Sequence, residues 1–288
     1  MWQWPTLESI WADIRYAMRQ LSRSPAFAAT AIFVLAIGIG ANTGIFTLMH
    51  ALLLKSLPIP DPDSLVRISV NGDSPDPGAN GMPLNLFLMQ SLQRQAKSFS
   101  GIFGWSSSDV VLTENGVSRI YPGAIVSGNT FQVLGLAPAE GRFLMPADDQ
   151  TGGGTDGWAI VLSHRFWVQH YHEDSSVIGK QITLSGQSVT VVGIAPSGFD
   201  GVLVGTNPDF YMPLAFEPLV HGKESLLHST GSLWLTAWGR LKPGISQANA
   251  LAEMSHLFEA VMRETAPSMR SRLVQNHARF VVVLGRTG

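Results

Sequence analysis

The sequence predicts an α+β chain: an amphipathic interfacial helix, one N-terminal transmembrane helix, and then a mixed α/β core domain outside the membrane. Three observations carry this. No charged residue occurs from Ala26 to Leu54. Beyond that run, helical spacings alternate with two strand-turn-strand patterns, the mark of mixed sheets with helices packed on them. Gly (29) and Pro (17) are plentiful, as a turn-rich α+β domain requires. The divisions expected are 1–24 for the first helix, 25–56 for the membrane helix and 57–288 for the core domain, with a possible subdomain break in the loop-rich stretch 197–232.

Composition bounds the function. A chain of 288 residues can bury a sizeable core in one or two domains. Net charge is −2 and no Lys/Arg stripe appears, so nothing points to nucleic acid. Cysteine is absent, which excludes disulfides, thiol catalysis and thiolate metal sites. Mean hydropathy is positive and only 14% of residues are charged, much of this coming from the apolar run.

The elements follow in order. Ile10, Trp11, Ile14, Met18 and Leu21 recur at helical spacing, with Arg15, Arg19 and Gln20 elsewhere on the wheel. Trp2, Trp4, Trp11 and Tyr16 are aromatics that favour the membrane interface. Residues 7–22 therefore read as a helix lying on the inner membrane face. Ser24-Pro25 turns the chain into the bilayer. The charge-free helix from Ala26 to Leu54 is about 44 Å long, more than the roughly 20 residues a bilayer needs. A signal peptide is the alternative, with Gly38-Ile39-Gly40 as a poor cleavage site, but its apolar core spans only about 7–15 residues. Arg15, Arg19 and Arg23 precede the run, while Lys55, Asp61 and Asp63 follow it. That bias places the N-terminus in the cytoplasm and the later residues outside.

Within the membrane helix Ala36, Gly40 and Gly44 are spaced by four, which lets a second helix approach closely. Asn42 and Thr43 fall near mid-bilayer, where an amide facing lipid is costly. The helix is expected to pack, through Ala36, Gly40, Gly44 and Asn42, on helices of another copy or another polypeptide.

Pro58, Pro60 and Pro62 end the helix and make a stiff exit. Leu65–Val70 reads as a strand, residues 71–83 as a Gly/Pro/Asp loop, and Asn85–Lys97 as a helix with Leu86, Met89 or Gln90, and Gln93 marking its turns. Val110–Leu112 and Ser118–Ile125 make a hairpin around Asn115-Gly116. Asn129–Leu134 is a short helix stopped by Gly135. Residues 148–157 are loop, Ala159–Leu162 is a strand, and Ser163 caps a helix to about His172. Gln181–Leu184 and Ser188–Ile194 form a second hairpin across Ser185-Gly186-Gln187. Asp209–Met212 is a strand closed by Pro213, and Leu233–Leu241 another. Ser246 caps a helix to about Thr265 with Leu251, Met254, Leu257, Phe258 and Val261 on one face. Phe280–Leu284 is the last strand.

A search for chemistry ends without an enzyme signature. Gly179-Lys180-Gln181 and Gly222-Lys223-Glu224 lack the remainder of a nucleotide-binding P-loop. No Gly-x-Ser-x-Gly elbow exists, and Gly72-Asp73-Ser74 reads as a turn. His170 and His172 cannot share a helix face, and His164 and His172 are too far apart for one metal. Asp148-Asp149 and Glu173-Asp174 read as solvated turn charges. Phe166, Trp167 and Tyr171 read as core. Trp234 and Trp238 alternate on one strand face, with buried packing the plainer reading. No catalytic residue, cofactor or metal is expected.

Several stretches together resemble the MacB-type ABC transporter permeases, in particular the orphan permease subgroup. These are Asp13 to Leu21 followed by Ser24-Pro25; Leu35 to Thr43 with Ile45-Phe46; and Leu53 to Pro58. In the outer domain they are Val126-Ser127-Gly128-Asn129 with Phe131, Leu134-Gly135 and Gly141-Arg142; Leu162-Ser163 with Trp167; Ile178-Gly179-Lys180; Val192 to Pro196 with Phe199; and Arg240-Leu241-Lys242-Pro243-Gly244. Their order and spacing make the combination specific. The resemblance implies a periplasmic core domain of MacB type after the first membrane helix. It implies a separate cytoplasmic ATPase subunit whose closure on ATP is carried by membrane helices to the outer domain. The implied setting is the bacterial inner membrane. The implied partners are other permease helices or a second permease copy, with a periplasmic adaptor as a further one. Such permeases have at least four membrane helices, so an N-terminal fragment or truncated product is expected. The alternative function is a membrane-anchored periplasmic binding or adaptor domain that works without ATP.

Overall fold

The structure is a computed structural model, and it describes residues 7–53, 57–72, 81–155, 157–203, 205–264 and 267–285. Trp2, Trp4, Lys55, Asp73, Ser74 and most of the loop expected over 71–83 lie outside the described residues. So do the side chains of Ile10, Ile14 and Leu21. The chain divides into two compact units, Met1–Lys55 and Ser56–Gly288.

The first unit is two helices, α1 (Leu7–Arg23) and α2 (Pro25–Leu53). Ser24 separates them, and its carbonyl accepts the Ala28 N–H at 3.0 Å. Pro25 takes the first helical position, where its missing N–H has no cost. Trp11, Tyr16 and Met18 are exposed on α1. From Pro25 to Thr47, α2 is apolar and long enough to cross a membrane. Its described side chains are exposed except Ala28 and Ala31, which are half-buried.

The second unit opens with Leu57 and Ile59, both buried, between exposed Pro58 and Pro60. Its elements in order are β1 (Leu65–Asn71), α3 (Leu86–Gln95), β2 (Phe99–Glu114), β3 (Val117–Val126), α4 (Thr130–Leu134), β4 (Glu140–Gly141), β5 (Trp158–Leu162), α5 (His164–Tyr171), β6 (Gln181–Leu184), β7 (Gln187–Ile194), β8 (Phe210–Pro213), α6 (Glu217–His221), β9 (Thr236–Leu241), α7 (Gln247–Glu264), α8 (Pro267–Gln275) and β10 (Arg279–Leu284). The ten strands form one sheet in the order β10-β1-β9-β2-β3-β8-β5-β7-β4, with β6 pairing both β2 and β7. Pairing is antiparallel except for β3–β8 and β5–β7. The loops of 197–232 run between strands of this one sheet.

Strand alternation divides the core into two layers. Val66, Ile68, Ile102, Ile125, Ile160, Phe210 and Ala237 face the layer that holds Leu88 and Met89 of α3, Phe166 of α5 and Met254 of α7. Leu65, Phe103, Trp105, Val126, Val161, Tyr211 and Trp238 face the opposite layer with Phe131 and Leu134 of α4. Leu57 and Ile59 belong to that second layer.

Four expectations need correction. Strand β2 begins at Phe99, eleven residues before the expected Val110, because its first half is a Gly- and Ser-rich central strand. Gly101 and Gly104 sit where a β-carbon would come within 2.5 Å of Val133 and 2.6 Å of Leu235, so the strand needs those gaps to seat its neighbours. Trp234 and Trp238 do not share a face: Trp234 packs on the first layer and Trp238 is buried in the second. The Trp234 and Leu235 N–H groups both donate to Leu84 O, at 2.9 and 2.8 Å, and this irregularity breaks the alternation before β9 begins. On α7 the buried set is Ala250, Met254, Val261 and Met262, and Leu251 is exposed. Helix α8 has no counterpart in the expected elements.

Candidate functional site

The core domain holds a cleft of about 530 Å³ between α3, the start of β2, the β3–α4 corner and the segments at 146–151, 214–215 and 227–228. Asn85 fixes α3 by accepting the Leu88 N–H at 2.8 Å, which buries Leu88 and Leu92 and turns Gln90 and Gln93 outward. Gln93 and Asn129 both donate to Ile102 O, at 2.8 and 3.0 Å, closing one wall. Ser127 Oγ accepts the Gly104 N–H at 2.8 Å, which pins the corner to β2. At Gly128 a β-carbon would stand 2.4 Å from Met145 O, so only glycine fits beneath that backbone.

Asp149 ties the corner to the opposite wall. Its Oδ1 accepts the Ala215 N–H at 2.8 Å and its Oδ2 accepts the Gly128 N–H at 3.3 Å. Burial pushes its carboxyl above the usual range, against those amide donors, and neighbouring Asp148 adds to the rise. Asp148 meets a bidentate fork from Arg142, at 2.7 and 3.0 Å, and accepts the Met145 N–H at 2.8 Å. Burial opposes its charge, yet the Arg142 fork and the Met145 amide outweigh burial and hold the carboxyl below its ordinary value. Asp148-Asp149 is therefore no pair of solvated turn charges. Each carboxylate is the acceptor that a backbone corner folds around.

A depressed carboxyl contributes stability above its unfolded pKa of about 3.9 and loses it as pH falls through the lower folded value. Asp148→Asn should cost about 2 kcal/mol at pH 7. That lies below the ~3–5 kcal/mol of a broken buried pair because the Arg142 side chain is 40% exposed and screened by water. Urea midpoints by tryptophan fluorescence check this: the gap between wild type and variant should shrink towards pH 3, and a gap independent of pH would refute the ion pair.

Glu217 shapes the far wall. It is 1% exposed and accepts the N–H groups of Leu226 at 2.9 Å and Leu227 at 3.2 Å, the Ser225 hydroxyl, and His221 Nδ1 at 3.0 Å. Sequence reading missed this residue, although Glu217-Pro218 has the form of a helix start.

The remaining histidine and aromatic candidates are structural. His170 Nε2 lies 2.6 Å from Glu114 Oε2, and the Tyr171 hydroxyl donates to Glu114 Oε1 at 2.9 Å. Burial opposes the Glu114 charge, but those two partners and Lys180 hold its carboxyl down. This ties the end of β2 to α5. His172 adopts φ 52° as the left-handed residue ending α5 and is exposed. Phe166 and Trp167 are buried, as core residues should be. Among the described residues no cluster of three or more His, Cys, Asp or Glu side chains is placed to hold a metal ion.

On α2, Ala36, Gly40, Gly44 and Asn42 are all exposed, and no described atom lies within 4 Å of where a β-carbon would stand at Gly40 or Gly44. At about 100° per residue the three small residues form one stripe, and Asn42 lies on the other side of the helix.

The family described as the MacB-like periplasmic core domain matches residues 28–257. No curated protein matches the sequence. Among solved structures, a domain of a Porphyromonas gingivalis protein described as a permease is similar at a TM-score of 0.54 and 13% identity, over 78% of this chain and 92% of that one. The extracellular domain of the noncanonic ABC-type transporter YknZ from Gram-positive bacteria follows at 0.50 and 13%, over 76% and 99%. The periplasmic region of MacB from Actinobacillus actinomycetemcomitans is similar at 0.50 and 14%, over 77% and 89%. At these identities the likeness concerns the fold, whereas the family match runs from Ala28 in α2 through β9 to Leu257 in α7: the chain belongs to the MacB-like periplasmic core domain family.

Proposed function

We propose that this chain is a permease component of a MacB-like ABC transporter, in which a separate cytoplasmic ATPase drives movement of the outer domain. The observation that carries this is one chain holding both a charge-free helix, α2, and a core domain of this family. In this reading α2 spans the bacterial inner membrane with Arg15, Arg19 and Arg23 on the cytoplasmic side and residues 57–288 outside. The Ala36-Gly40-Gly44 stripe seats one neighbouring helix, and Asn42, on the other side, faces a second. Those neighbours are other permease helices or a second copy of the chain.

The experiment is affinity purification of the tagged full chain from detergent-solubilised membranes of its own cell, with nucleotide and a mild cross-linker. An ATPase subunit should co-purify, and its yield should fall when Gly40 and Gly44 are both changed to leucine. Recovery of the chain without any ATPase or permease partner would refute the reading. The second reading, an anchored binding or adaptor domain, is favoured by one feature: Gln90, Thr151 and His228 line the cleft with side chains that make no hydrogen bond among the described residues. It would be the better account if an envelope protein but no ATPase were recovered.

A further inference from the structure

Arg240, near the end of β9, directs its guanidinium into the layer that holds α4. Its Nε donates to Val133 O at 2.5 Å and its Nη2 to Leu134 O at 3.0 Å. Its Nη1 reaches Pro60 O at 3.0 Å, Asp61 O at 3.1 Å and Ser64 Oγ at 2.7 Å. The first two acceptors are carbonyls at the C-terminal end of α4, where the helix has no amides left to offer them. They also carry the partial negative charge of a helix end. The other three belong to the segment Leu57–Ser64, which directly follows the membrane helix in sequence. One planar fork therefore binds two segments more than 60 residues apart in the chain to an interior strand of the sheet.

Neither segment can give easily. The exit segment is stiffened by Pro58, Pro60 and Pro62. Its Leu57 and Ile59 are buried with Phe131, Leu134 and Trp238. The Pro60 ring sits 3.6 Å from where a β-carbon would stand on Gly135, the left-handed residue ending α4. Within α4, Phe131 stacks on Phe143 with ring centroids 4.0 Å apart. The other end of α4 is the Gly128-Asn129 corner, which lines the cleft and is held across it by Asp149. Helix α4 is a single turn or so, about 8 Å at 1.5 Å per residue. It has the exit segment clamped at one end and the cleft at the other.

We infer that Arg240 is the joint through which displacement of the exit segment Leu57–Ser64 reaches the cleft, with α4 as the rod between them. The source of that displacement rests on the transporter reading above, but the joint itself does not. Lysine cannot replace it: a single ammonium with three donors cannot hold five acceptors set around a plane.

The test is amide hydrogen exchange, read by mass spectrometry on the full chain in detergent micelles, for wild type, Arg240→Lys and Arg240→Ala. Arg240→Ala should speed exchange about tenfold at residues 59–64, at 133–136 and at Gly128, whose amide lies at the far end of α4. Arg240→Lys should give a smaller rise at the same three places. The ladder of β5 and β7, towards the other edge of the sheet, should not change. A rise at 59–64 with none at Gly128 would overturn the rod, leaving a local tether. An equal rise throughout β5 and β7 would overturn it in favour of a general structural role. If Arg240→Ala does not fold, Ser64→Ala removes one of the five Arg240 bonds, and with it the bond that Ser64 Oγ donates to Asp61 O. It should raise exchange at Gly128 two- to threefold, and no rise there sinks the inference. Failure to find an ATPase would leave this result untouched, so the two readings fail separately.

Discussion

Changing Ile37 and Ile39 together to arginine is expected to release the chain from the membrane. Both lie near the middle of the charge-free run, and both are exposed among the described residues, at 54% and 65%. They sit more than ten residues from either end of α2, too deep for an arginine to reach water along its own side chain. Each arginine at that depth costs about 2.5–3.5 kcal/mol on insertion scales. Two together cost about 5–7 kcal/mol, which at 1.4 kcal/mol per factor of ten shifts insertion about ten-thousandfold. The isoleucines replaced favour insertion by a few tenths of a kcal/mol each, so their loss adds to the cost. The measurement is the share of chain that stays with membranes after alkaline carbonate extraction. Wild type and an Ile37→Leu, Ile39→Leu control should stay, and the double arginine variant should appear in the supernatant. A double arginine chain that remains carbonate-resistant would show that α2 does not hold the chain by crossing the bilayer. Because Ser56–Gly288 is a compact unit of its own, the released variant should keep its β-sheet circular dichroism.

How far the sequence could be read follows from how local each determinant is. The turn at Asn115-Gly116 was legible because both residues take positive φ, 50° and 75°, as a two-residue hairpin demands. Ser163 was legible as a cap because its hydroxyl needs only the Phe166 N–H three residues on, at 3.1 Å. Gly135 was legible as a stop because its φ of 68° is its own property. The first half of β2 was not. Its Ser and Gly residues argue against a strand, and the ladder with β9 from Phe99 to Trp105 imposes one. Helix α8 was not legible either, being short and weakly amphipathic.

The site was less legible than the fold for the same reason. The sequence picked out Ser127-Gly128-Asn129 and the stretch from Arg240 to Gly244, but as fragments of a resemblance, without their roles. Asp149 finds Ala215 66 residues away, and Arg240 finds Pro60 across 180 residues. Nothing in the spacing of either residue announces such partners. Adjacent aspartates after a proline look like a solvated turn until the backbone donors that surround them are known.

Glu217→Ala should be the most damaging single change in the core domain. The carboxylate is 1% exposed and serves four donors, two of them backbone amides of the segment that carries Leu227 and His228 to the cleft. Removing it leaves the Leu226 N–H and the Ser225 hydroxyl without their acceptor, and the Leu227 N–H with no acceptor nearer than Ser225 Oγ at 3.4 Å. A buried donor left unsatisfied costs about 1–3 kcal/mol. The two amides together give a loss of about 3 kcal/mol after some relaxation towards water, a large part of the ~5–15 kcal/mol that holds a typical domain. Glu217→Gln separates charge from shape. The amide keeps one acceptor oxygen but turns an NH₂ towards donors, so it should recover less than half of the loss. Urea denaturation followed by tryptophan fluorescence gives the size of the effect, and proteolysis locates it. Cleavage should concentrate at 222–230 in Glu217→Ala while the strands stay protected. If Glu217→Ala loses under 1 kcal/mol and the loop resists protease, then this carboxylate does not organise the cleft wall, and the wall must be held by the packing of Leu227 alone.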